Sequence, residues 1–157
     1  MADRTTILKA PGVLDAQGKP TPRYDVVVAG RMARLTPEAW QAERDRMVAI
    51  CAGCHARGFA ADQLARADRV IRESDRVAAE AIDIVEGLYR DQVLPAPKER
   101  PASPDLLRFY EVTDPIEETL YFMFLEHRMR SFQGAFHLNP DYQHWYGWAD
   151  LRLPDHV

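Results

Sequence analysis

Cysteine is nearly absent. Cys51 and Cys54 are the only two in 157 residues, so no other pair competes with them for a bridge. Long apolar runs are missing as well. The most apolar early stretch, Asp25-Val26-Val27-Val28-Ala29, stops at Gly30 and excludes a membrane-crossing segment there. A basic excess is also lacking: the formal charge is −4, which argues against nucleic acid as a partner, because phosphate binding wants a basic face. Lysine is scarce beside arginine, and this favours fixed ion pairs over merely solvated charge. The first residues carry no basic, apolar, small-residue leader. What is present suffices for one domain with a modest core, since 46% of the residues are apolar.

The two cysteines stand in Cys51-Ala52-Gly53-Cys54-His55, the attachment pattern of a c-type haem. Two thiols three residues apart on a tight turn can both reach the vinyl-derived carbons on one porphyrin edge. The tether then forces the next residue's imidazole under the iron. Gly53 leaves room for the macrocycle to lie close to the backbone. A zinc site would need two more ligands at close spacing, and no second Cys or paired His follows. A redox dithiol should open a helix after a strand in an α/β chain, and this sequence does not have that pattern. Cys51 and Cys54 are thus the expected haem anchors and His55 the proximal ligand. Such attachment belongs outside the cytoplasm. The sequence therefore predicts a periplasmic protein, as a processed chain, a piece of a longer exported one, or one exported with a partner.

The fold class expected is mainly α, with long helices at about 37–52, 60–93 and 115–137 behind an extended arm over 1–35; residues 36–157 form the helical haem-binding domain. The arm carries Pro11, Gly12, Gly18, Pro20 and Pro22, and reads as turns. Ile7, Leu8, Val13 and Leu14 want cover, which suggests an arm draped over a partner. Tyr24 to Ala29 is a candidate short β segment. Thr36-Pro37-Glu38 starts the first helix with a cap, a proline at the first position and an acid at the positive dipole end. Between Ala60 and Val93, the residues Leu64, Ala67, Ile71, Ser74, Ala78, Ala81, Val85 and Leu88 alternate spacings of three and four. That is a coiled-coil seam on a rod of roughly 50 Å, too long for a compact monomer. Self-association through the 60–93 helix, as a homotrimer, is the expectation. Four prolines between Leu94 and Pro104 end the rod, and Asp114-Pro115-Ile116-Glu117 restarts a helix. Ile116, Leu120, Met123, Phe124 and His127 share its apolar face.

The C-terminal run Phe136-His137-Leu138-Asn139-Pro140-Asp141-Tyr142-Gln143-His144-Trp145-Tyr146-Gly147-Trp148 is dense in aromatics and imidazoles. A six-coordinate electron-transfer iron needs a second axial ligand, for which His or Met serves. His137 and His144, among Trp and Tyr, look like a haem edge, with His127 a further candidate.

Taken together, these residues resemble the octahaem cytochromes c of the hydroxylamine oxidoreductase type. The likeness rests on Cys51-Ala52-Gly53-Cys54-His55 with Phe59 after it and on Gly87-Leu88-Tyr89-Arg90-Asp91. It rests above all on Glu126-His127, Gly134 to Tyr142 and His144-Trp145-Tyr146-Gly147. It covers roughly residues 40–153, resembling the last haem site and C-terminal helices of that family. The resemblance implies helices that assemble three subunits and a haem-iron ligand at His137, on an iron held elsewhere in the assembly. In the hydroxylamine-oxidising members a tyrosine of this region attaches to the catalytic haem of the neighbouring subunit; Tyr142 and Tyr146 are the positions to consider as catalytic. Family members carry eight haem motifs and this chain has one.

The leading expectation is therefore electron transfer through one covalent haem c, in an assembly that includes a multihaem cytochrome subunit, the chain not being catalytic alone. A second reading is a subunit of a nitrogen-compound oxidoreductase, for hydroxylamine oxidation or nitrite reduction, with the active haem supplied by a partner chain and Asp141, Tyr142 and His144 above an open iron position. A third is a haem-free helical assembly module.

Overall fold

The structure is a computed structural model and describes residues 8–22, 37–95, 104–106, 112 and 114–152. It is mainly helical, as expected; among the described residues the one β feature is an isolated bridge between Leu14 and Pro20. Helix α1 spans Pro37–Cys51 and α2 spans Arg57–Arg90. Helix α3 (Pro115–Phe122) runs through a π-helical turn, Met123–His127, into α4 (Arg128–Phe136). Helix α5 (Pro140–Gln143) runs likewise through a π-helical turn, His144–Trp148, into α6 (Ala149–Arg152). Thr36 and the candidate strand Tyr24 to Ala29 lie outside the described residues.

Local chemistry sets the helix limits. The Asp114 carboxylate accepts a hydrogen bond from the Ile116 N–H at 2.8 Å, and Pro115 takes the first position. Asn139 caps α5 in the same way, its side chain accepting from the Tyr142 N–H at 3.0 Å with Pro140 next. Helix α2 opens and closes three residues earlier than its apolar period suggests. It stops at Arg90 in a turn where Gln92 adopts a left-handed φ of 59°.

The α2 stripe is covered from within the chain. Leu64, Ala67, Ile71, Ser74, Ala78 and Val85 are buried, with Ala81 and Leu88 partly so. Antiparallel α4 lies against the middle of this stripe: Arg128 reaches Asp75, Ser131 meets Ser74, and Ala135 packs with Ala67 and Ile71. Ala78, Ile82, Val85 and Tyr89 form the main cluster with Leu94, Leu106 and Leu120. The expectation that this stripe stands open for another copy is therefore corrected. A period of three and four marks a buried face without saying whose helix buries it. Of the arm, only residues 8–22 are among those described. Val13 and Leu14 are buried in the chain, and Leu8 and Ala10 pack against the Ala78–Leu120 cluster.

Two polar contacts fix α4 on α2. The Arg128 guanidinium donates to the buried Asp75 carboxylate at 2.9 Å, and the Ser74 and Ser131 hydroxyls lie 2.8 Å apart. Ser74 donates its one proton to the Val70 carbonyl at 3.0 Å, which makes Ser131 the donor between the two hydroxyls. Ser74→Ala is expected to destabilise by about 1–2 kcal/mol, because it strands a buried hydroxyl. In urea unfolding, the Ser74→Ala/Ser131→Ala double variant should lose no more than either single one; additive losses would show that the two hydroxyls act independently.

The C-terminal elements approach α4 backbone to backbone. A Cβ on Gly134 would lie 2.5 Å from the Gln143 Cα. One on Gly147 would overlap the Ser131 amide and lie 2.5 Å from the Ser131 Cα. Only glycine fits at these two crossings.

Candidate haem site

The cysteines sit where α1 unwinds. Cys51 ends the helix, and the chain turns tightly: the Cys54 and His55 N–H groups both donate to the Cys51 carbonyl, at 3.1 and 2.9 Å. Ala56 then takes an extended ψ of 136° and α2 begins. Both thiols are free; Cys51 is half-buried beside Val48, Ala60 and Leu64, while Cys54 and His55 are exposed. The His55 and Phe59 rings lie 5.4 Å apart, tilted by 35°.

These residues fit a covalent haem c. The donor set is two unbridged thiols and an adjacent imidazole on one turn, open on its outer side. Two large apolar side chains flank it in the open, Ile50 at 74% exposure and Phe59 at 51%. Among the described residues no three His, Cys, Asp or Glu side chains cluster as a bare metal ion would require.

The other candidates lie apart from this turn. His137 follows the last residue of α4, exposed, its N–H donating to the Gln133 carbonyl at 2.9 Å. His137 comes two residues after Ala135, which packs with Ala67 and Ile71 of α2. It lines a cavity of about 410 Å³ with Gln133, Gly134, Asn139 and Tyr142. Tyr142 and Tyr146 pair at 5.6 Å, Tyr146 being exposed. His144 is exposed and packs edge-on against Trp145 at 4.9 Å, outside the lining of that cavity. The structure thus joins His137 to Tyr142 and leaves His144 beside them.

Two features were not legible in the sequence. A second groove of about 530 Å³ runs between α1 and α2, lined by Trp40, Arg44, Val48, Gly58, Ala61, Leu64 and Asp68 among others. Arg44 lies over the Trp40 ring at 4.7 Å and pairs with Asp68 at 2.5 Å, so Asp68 reaches α1 rather than remaining a purely intrahelical charge. His127 has a buried Nδ1 without a hydrogen bond, 3.8 Å from the Asp150 carboxylate. Its neighbour is set by the meeting of the two π-helical turns, which leave no mark in the apolar period.

Residues 23–101, half of the chain, match the family described as "Seven times multi-haem cytochrome CxxCH". The match includes the haem motif, α1 and α2, and ends before the C-terminal helices that carry the octahaem likeness. No curated protein and no solved structure matches the chain. No helix among the described residues is long and apolar enough to cross a membrane, and c-type multihaem cytochromes typically work outside the cytoplasm. The chain belongs to the multihaem c-type cytochromes, carries covalently bound haem c, and has their role in electron transfer.

Proposed function

We propose that the chain is a one-haem electron-transfer subunit of a larger periplasmic assembly of the octahaem hydroxylamine oxidoreductase type. The observation that carries this is the Cys51–His55 turn, which brings together two free thiols, Cys51 half-buried and Cys54 exposed, and an exposed imidazole at a helix end. In this reading Cys51 and Cys54 form the thioethers and His55 is the proximal ligand. Bound haem supplies one-electron exchange at its iron; the chain's residues set ligand identity, burial and orientation.

His137, with His144 as the lesser candidate, serves a different iron from the one over His55, as the likeness to the octahaem cytochromes implies. With a single haem motif in the chain, that iron belongs to a multihaem partner or a second copy. Association as a trimer then uses the outer face of α2, where Ile84 is exposed, because the inner stripe is filled. The 1–35 arm and the 36–157 haem-binding unit are the working division of the chain. The second reading, a nitrogen-compound oxidoreductase site completed by a partner, is favoured by the cavity shared by His137 and Tyr142, with Tyr146 beside it.

Voltammetry of the haem-loaded chain, with and without hydroxylamine, tests the proposal. A reversible one-electron wave that hydroxylamine leaves unchanged is expected. Sustained catalytic current from the chain alone would contradict a pure transfer role.

A further inference from the structure

Phe59 has no part in the roles assigned so far, yet it is a large apolar side chain left half in the open, one helical turn after His55. Its ring touches the imidazole at 5.4 Å with a 35° tilt. Ile50, on the other side of the motif, is more exposed still. Exposed apolar side chains are ordinary when scattered singly, but two of them bracketing a five-residue attachment turn form a local surface.

The face of α2 that Phe59 occupies matters. At about 100° per residue, Phe59 lies roughly a quarter-turn to one side of the buried Ala60–Leu64–Ala67 stripe. Ala61 lies a similar angle to the other side, with Ala65 and Gly58 further round, and these three line the groove against α1. The His55–Phe59 pair and the Trp40–Arg44 groove therefore belong to opposite flanks, and the groove is not the surface the pair offers.

We infer that Phe59 is a positioning residue: its ring sets the plane of the His55 imidazole and, with Ile50, walls the tethered haem from water on that side. The inference rests on the assignment of Cys51, Cys54 and His55 above. His55 stands exposed at the entry to α2, one residue before the N-cap Ala56. A tilted ring packed on the imidazole from a formed helical turn restrains its rotation, and ligand orientation and local burial are two of the levers a protein has on a haem's potential.

The test uses the haem-loaded chain and three substitutions, Phe59→Ala, Phe59→Leu and Phe59→Tyr, with Ile116→Ala as a comparably exposed position on α3. Covalent haem is measured first, by acid–acetone extraction; then the midpoint potential and the electron paramagnetic resonance signature of the axial imidazole. Phe59→Ala should keep its haem, alter the imidazole signature, and favour the ferric form by about three- to tenfold, tenfold being 59 mV for one electron. The direction follows from water admitted beside the more highly charged ferric state. Phe59→Tyr should restore both properties. Phe59→Leu should restore the potential but not the signature, and Ile116→Ala should change neither. A Phe59→Ala protein identical to the parent in both properties would overturn the inference while leaving the haem assignment intact. So would a Phe59→Leu protein with the parent's imidazole signature. A parent chain without covalent haem would instead overturn the assignment on which it stands.

Discussion

Cys54→Ala, expressed alongside a haem-maturation system, should give a helical protein that keeps far less colour through acid–acetone extraction than the parent, one of the two thioethers being lost. Cys54 is the informative half of the pair because it is exposed, so truncating it opens no cavity. Cys51 packs with Val48, Ala60 and Leu64, and its removal would mix lost attachment with lost core contacts. With Cys54 gone, His55 loses the tether beside it, and a weakly held ligand on a three-residue turn can no longer be forced under an iron. Far-UV circular dichroism should be unchanged, since α1 ends before Cys54 and α2 begins after it. Full retention of covalent haem in the double variant Cys51→Ala/Cys54→Ala, which leaves no thiol in the chain, would mean that the motif is not the attachment site.

The second large effect is expected at Gly147. An added methyl there meets backbone: the Ser131 N and Cα and the Arg130 carbonyl carbon, the last at 2.9 Å. Backbone cannot rotate away as a side chain can, so either α4 or the His144–Trp148 turn must shift. Overpacking of this kind costs about 3 kcal/mol or more. For a domain of this size that is a fall in Tm of about 6–12 °C. The displaced turn carries His144 and Tyr146 and leads to the buried Leu151, so the C-terminal corner should loosen as one piece. Melting of Gly147→Ala followed by circular dichroism checks this. A Tm equal to the parent's would show that the crossing has slack.

Much of the fold was legible because its signals are local. Asp114-Pro115 and Asn139-Pro140 each state a helix start in two residues, and the structure uses both. The haem motif is legible for the same reason, since its chemistry depends on spacing within five residues. The partner of a buried face is another matter. The α2 stripe has the same period whether α4 or another molecule covers it; only the long-range contacts Ser74–Ser131 and Asp75–Arg128 decide, and no periodicity contains them. Met123, Phe124 and His127 share an apolar face on a regular helix, but a π-helical turn carries them, and they end half-buried. His137 and His144 looked equivalent in sequence. The helix end at Phe136 and the Asn139 cap put only the first on the cavity with Tyr142.

The intact mass of the denatured wild-type chain, purified after expression with haem maturation, bears on all of this at once. A mass equal to the polypeptide plus one haem, with the colour remaining on the polypeptide in acidic acetone, is the outcome expected from free thiols at Cys51 and Cys54 beside His55. A mass equal to the bare polypeptide, from cells that load haem onto other exported proteins, would contradict it.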